Sequence, residues 1–208
     1  MQPAAAIAPE SASLLDDAAV DAALVVRARD GERRALRGLY DRHVARVRAY
    51  LYRLLGADPD LDDLVQTVFT RAFLALGSFR GDARFSTWLY QICVNQSRNL
   101  LRSRYRRGRM LGAFESLALA RGDGDEGGDP GAASEALRLL QRLRPDLREI
   151  FVLYHHEGLT LQEIAGVVGM PLSTVGDRLT RARRELQGFA SQRGVRGAAV
   201  ARRVSVAG

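Results

Sequence analysis

In residues 78–107, SFRGDARFSTWLYQICVNQSRNLLRSRYRR, the rings of Phe79, Phe85, Trp88 and Tyr90 stand among Arg80, Asp82 and Arg84. The segment then runs through Asn95 and Asn99 into a block of arginines. Together these types do non-covalent work: rings stack on bases, amides bond base edges, and guanidinium groups neutralise phosphates. That is what holding an unpaired nucleic-acid strand requires, and each stacked base is worth about 1–3 kcal/mol.

A second stretch, LTLQEIAGVVGMPLSTVGDRLTRARREL over 159–186, has the grammar of a helix-turn-helix. Thr160 and Glu163 have capping-box spacing, so a helix starts at Leu161. Counted from there, Ala165, Gly169 and Val175 are fifth, ninth and fifteenth: a small residue where two helices cross, a glycine for a positive φ, and a core valine. Pro171 keeps the two helices from fusing. Val175, Leu179 and Leu186 then face inward. Thr174, Asp177, Thr180, Arg181 and Arg184 face outward with Arg178 at the edge, the geometry of a helix entering a major groove.

The balance of charge agrees. The net charge is +7 over 208 residues and every cationic side chain is arginine, so each can fork onto phosphate or stack on a base. Cys93 is the single cysteine, which excludes an internal disulfide and a multi-cysteine metal cage. No phosphate-binding glycine loop, nucleophile elbow or zinc motif is present; an enzyme is not expected, and neither is a cofactor or metal. The N-terminus lacks the basic and apolar regions of a secretory signal, and no apolar run nears the roughly 20 residues of a membrane span. A cytoplasmic protein without membrane insertion is expected.

Helical periodicity runs almost throughout, so the expected fold is all-α. Helices are expected over 17–29 and 32–55. A third carries the stripe Leu61, Leu64, Val65, Val68, Phe69, Ala72, Phe73 and Leu76, and a fourth carries Phe85, Trp88, Leu89, Ile92, Cys93 and Leu100. Trp88 has the spacing of a core position, and Tyr90 is the ring expected to be exposed. Residues 121–134, RGDGDEGGDPGAAS, read as a flexible acidic linker. A second helical unit follows, with Pro145 opening a helix. His43 lies among apolar positions with no evident partner. His155 and His156 read as surface or helix-end residues, and Cys93 as inert core.

Taken together, DLDDLVQTVFTRAF, SFRGDARFSTWLYQICVNQSRN and LRPDLREIFVLYHHEGLTLQEIAGVVGMPLSTVGDRLTRARREL, in that order and flanking an acidic linker, resemble the extracytoplasmic-function (ECF, group IV) sigma factors of the sigma-70 family. The resemblance implies two small helical domains joined by the linker. These are sigma region 2 over 16–107, a linker over 108–134 and sigma region 4 over 135–188, between a disordered N-terminus (1–15) and a disordered basic tail (189–208).

The implied function is to bind core RNA polymerase, recognise −10 and −35 promoter elements, promote melting and direct initiation, with an anti-sigma factor as a further partner. The alternative is a free-standing helix-turn-helix regulator that binds duplex DNA without polymerase. By the same resemblance Asp62, Asp63, Leu64, Gln66 and Phe69 dock on polymerase. Phe79, Arg80, Asp82, Arg84, Tyr90, Asn95, Asn99 and Arg102 hold the −10 strand, within a phosphate track that also takes in Arg98, Arg104, Arg106 and Arg107. Ser173, Thr174, Asp177, Arg178, Thr180 and Arg181 read the −35 duplex. Gly176 and Asp177 depart from the family, which commonly has a basic and then a small polar residue there.

Overall fold

The computed structural model describes residues 9–110 and 132–192, and among these the regular structure is helical, with no strand. Helices α1 (Pro9–Arg29), α2 (Arg33–Leu55), α3 (Leu61–Leu74) and α4 (Phe85–Met110) form an N-terminal group. Helices α5 (Ala132–Arg142), α6 (Pro145–His155), α7 (Leu161–Val168) and α8 (Leu172–Gln192) form a C-terminal one.

Local chemistry sets the boundaries. α2 ends at Gly56, whose N–H still donates to the Tyr52 carbonyl at 2.8 Å and whose φ of 79° then turns the chain out of the helix. α3 opens with Asp62 and Asp63 against its positive end and buries Leu61, Leu64, Val65, Val68, Phe69 and Ala72 along one face. The capping box forms as expected: the Glu163 N–H donates to Thr160 Oγ1 at 3.2 Å and the Thr160 N–H to Glu163 Oε2 at 2.8 Å. Gly169, at φ 69°, closes α7 in the left-handed conformation.

Several expected bounds shift. α1 begins at Pro9 rather than residue 17, and α4 runs on to Met110. α8 continues past residue 188 because Ala190 is buried and the Phe189 ring packs under Arg142 of α5, 4.1 Å from ring centroid to guanidinium carbon. The expected linker and terminal tails lie largely outside the described residues. His43 has a partner after all: its Nε2 is 2.9 Å from Asp21 Oδ2, and Arg42 Nε is 2.8 Å from Oδ1 of the same carboxylate. Burial pushes the Asp21 carboxyl up, but His43 and Arg42 outweigh it and leave it below its ordinary value.

The two groups are packed together. α7 lies against α4, while α5 and α6 lie against α2. Arg148 of α6, 9% exposed, crosses this seam. It donates to the carbonyls of Leu140 (2.8 Å), Gln141 (2.6 Å) and Leu143 (2.8 Å) at the end of α5, and to that of Leu54 at the end of α2. One guanidinium thus satisfies the orphan carbonyls at two helix C-termini, where the helix dipole favours a cation. Among the described residues no helix is long and apolar enough to cross a membrane.

Candidate nucleic-acid interface

α4 turns its polar side chains onto one face. Gln91, Asn95, Asn99, Arg102 and Arg106 are all exposed, at helical spacing that aligns them in a stripe roughly 22 Å long. Amides occupy its first half and guanidinium groups its second. The loop before α4 adds exposed Arg80, Asp82 and Arg84. Gln91 escaped the sequence reading, although it sits one turn before Asn95.

The aromatics are arranged differently from expectation. Tyr90 is 3% exposed: its ring packs 5.1 Å from that of Tyr50, and its hydroxyl donates to Glu157 of the α6–α7 turn. Phe79 is also buried, against Phe85 and Trp88 at centroid distances of 5.9 and 5.2 Å. Trp88, only partly buried, is the ring that reaches the surface next to the loop.

Two arginines of the expected phosphate track are likewise committed elsewhere. Arg98 forks onto Glu149 of α6 and donates to the Val168 carbonyl at 3.1 Å; Arg104 clamps Asp58 and Asp60 of the α2–α3 turn at 2.5–2.6 Å. Arg102, Arg106 and Arg107 remain exposed without an ion pair among the described residues.

On α3 the expected polymerase contacts divide. Leu64 and Phe69 are core, the latter with its ring 4.7 Å from that of Tyr40, because the apolar stripe of α3 faces the bundle. Asp62, Asp63 and Gln66 are exposed, and Asp62 pairs with Arg48. Leu74, 79% exposed, shares the face of Asp63, Gln66 and Thr70. The sequence reading missed it, although an apolar residue one turn beyond Thr70 on a polar face is a visible signal.

α8 seats Val175, Leu179, Ala182 and Leu186 in the core, which turns Ser173, Asp177, Thr180, Arg181 and Arg184 outward. Thr174 and Arg178 are half-buried, and Arg178 lies 3.3 Å from Asp146. A side chain added at Gly176 would meet open space, and Asp177 has no partner among the described residues. Leu172, 47% exposed, adds an apolar tip at the start of the helix.

Residues 39–107 match the family model for sigma-70 region 2, and residues 133–186 that for sigma-70 region 4. The ECF RNA polymerase sigma-E factor of Escherichia coli strain K12 is 35% identical over 173 residues, 78% of this chain and 90% of that protein. This chain belongs to the ECF sigma factors. The sigma-E factor of Haemophilus influenzae is 32% identical over 177 residues, 80% of this chain and 93% of that protein.

The fold of this sigma factor is similar to that of CnrH in its complex with the cytosolic domain of CnrY, with a TM-score of 0.62, 28% identity, and 83% and 98% of the two chains covered. It also resembles the fold of the sigma factor RpoE of Bartonella quintana, crystallised with the anti-sigma factor NepR, with a TM-score of 0.59, 22% identity, and 74% and 96% covered. As a sigma factor the chain is a polymerase-binding subunit that directs promoter recognition and initiation, and it is not an enzyme. The region 2 match falls on α2–α4 and the region 4 match on α5–α8. The match to region 2 decides against a free-standing duplex-binding regulator.

Proposed function

We propose a division of labour among three surfaces. Asp62, Asp63 and Gln66 on α3, with Leu74 beside them, dock on core polymerase. Arg80, Asp82 and Arg84 with Asn95, Asn99 and Arg102 take the unpaired −10 strand, and Trp88 supplies the ring in place of Phe79 and Tyr90. Ser173, Thr174, Asp177, Arg178, Thr180 and Arg181 on α8 read the −35 duplex. The site of action is the cytoplasm, where polymerase meets promoter DNA.

The observation that carries this reading is the exposed stripe from Gln91 to Arg106. Amides followed by cations along one helix face give a single strand hydrogen bonds to its base edges and charge along its phosphates, and a duplex-only reader has no use for it. An anti-sigma protein completes the set of partners. It is supported by the likeness to CnrH, whose structure includes a second protein.

Asn95→Ala tests the −10 assignment. Promoter opening by the reconstituted holoenzyme, followed with permanganate, is expected to fall about tenfold, the worth of one good base contact. Affinity for core polymerase should not change. Equal loss of both would make Asn95 a structural residue.

A further inference from the structure

A buried polar pair lies behind the one ring that the −10 surface exposes. The Trp88 ring packs 5.2 Å from that of Phe79 and 5.7 Å from that of Phe85, and the two phenylalanines meet edge to face at 5.9 Å. Phe85 is the first residue of α4, where the loop carrying Arg80, Asp82 and Arg84 enters the helix. Its ring also packs on the imidazole of His43 in α2, 5.1 Å between centroids. His43 is buried, and its Nε2 lies 2.9 Å from Oδ2 of Asp21, a buried residue of α1.

The pair has a fixed sense. Arg42 Nε donates to the other Asp21 oxygen at 2.8 Å and its Nη2 to Asp17 Oδ1 at 2.8 Å, so the carboxylate is held ionised. An ionised carboxylate only accepts, and Nε2 is therefore the nitrogen of His43 that carries a proton. Burying such a pair costs desolvation that apolar side chains in the same space would not incur. What the pair adds is direction: the hydrogen bond sets the rotation of the imidazole, against which Phe85 rests.

We propose that Asp21 and His43 are positioning residues for capture of the −10 strand. The carboxylate of α1 fixes the imidazole of α2, the imidazole fixes Phe85 at the head of α4, and Phe85 with Phe79 holds the Trp88 ring where a base stacks on it. The proposal rests on the reading of Trp88 as the −10 ring. A base that stacks on a ring already held in place loses nothing to ordering it, whereas a ring free to turn weakens capture by on the order of fivefold. α1, which lies outside the residues matched to region 2, thereby takes part in promoter opening through Trp88.

Trp88 is the only tryptophan, so its emission reports the ring directly in the full-length protein. At a temperature where circular dichroism shows the variants folded, Asp21→Ala should lower the residual anisotropy of that emission by freeing fast local motion. It should also reduce promoter opening by the reconstituted holoenzyme about fivefold, with affinity for core polymerase unchanged. Asp21→Asn keeps the shape and an oxygen for the His43 N–H, and should restore most of both. His43→Phe, which fills much the same space without the bond, should show the same losses as Asp21→Ala.

A double-variant cycle separates positioning from plain packing. In a Trp88→Ala background, Asp21→Ala should cost no further opening. Unchanged Trp88 anisotropy in Asp21→Ala and His43→Phe, or losses that multiply in full in the double variant, would overturn the proposal and leave Asp21 and His43 as supports of the bundle alone. If Trp88→Ala by itself left opening intact, the reading of Trp88 as the −10 ring would have failed, and the proposal with it.

Discussion

Arg148 holds Gln141 twice, Nη2 donating to its carbonyl and Nη1 to its Oε1, both at 2.6 Å. Gln141 Nε2 in turn donates to the Arg53 carbonyl across the seam at 2.9 Å. No carboxylate takes part: burial alone pushes the Arg148 guanidinium down to about 10, and helix-end carbonyls solvate its charge. The end of α5 and the end of α2 are thereby locked to one side chain of α6.

Arg148→Ala should destabilise the protein by on the order of 3 kcal/mol, because several buried helix-end carbonyls lose a charged donor at once. Urea unfolding checks this: a lower midpoint with an unchanged slope is expected. Arg148→Lys should recover little, since an ammonium cannot span acceptors on two helices.

His155 gives a pH dependence of definite sign. Its ring stacks on Phe151, 4.5 Å between centroids, and its Nε2 accepts from Arg183 Nε at 3.2 Å, a role open only to the neutral imidazole. Burial, with Arg183 and His156 nearby, pushes its pKa down to about 4. The unfolded chain titrates near 6.5 and binds the extra proton between those values, so stability falls as pH drops from about 6.5 toward 4. The raised carboxyls of Glu149 and Glu157 act in the opposite sense at acid pH. Thermal melts of wild type and His155→Phe over pH 7 to 5 cancel that shared contribution; the variant should show the shallower loss.

How far these relationships can be read from the sequence depends on how local they are. The capping box at Thr160 and Glu163, the turn at Gly169 and the stripe of α3 are set within a few residues, and the spacing reports them faithfully. Tyr90 is different. Its ring packs on Tyr50 of α2 and its hydroxyl donates to Glu157, both far away in sequence, and the sequence around Tyr90 carries no trace of that carboxylate. The same holds for Arg98, spent on Glu149, and for His43, paired with Asp21. Phe79 follows a glycine-containing turn, where no periodicity says which way a ring will point. Asn95 and Asn99 were legible because their exposure follows from the helix alone.

On α8, Arg181→Ala should weaken −35 duplex binding for every sequence and flatten the salt dependence by about one phosphate contact. Its exposed pairing with Glu185 at 2.9 Å is too weak to withhold it from DNA. Asp177→Ala should act the other way. Loss of a carboxylate on the groove-facing side should tighten binding to non-specific duplex while relaxing base preference at one position, the signature of a carboxylate accepting from a cytosine amino group. Selection from a randomised −35 library with each variant reads both effects.

The account stands on α3 as the polymerase-docking helix. Fluorescently labelled full-length protein is titrated with bacterial core RNA polymerase and followed by anisotropy, beside an Asp63→Arg, Gln66→Ala double variant whose altered side chains are exposed and leave the core untouched. Tight, saturable binding by the wild type, weakened at least tenfold in the variant, is the expected result. Equal binding by both proteins, or none by the wild type while it still binds duplex DNA alone, would contradict it.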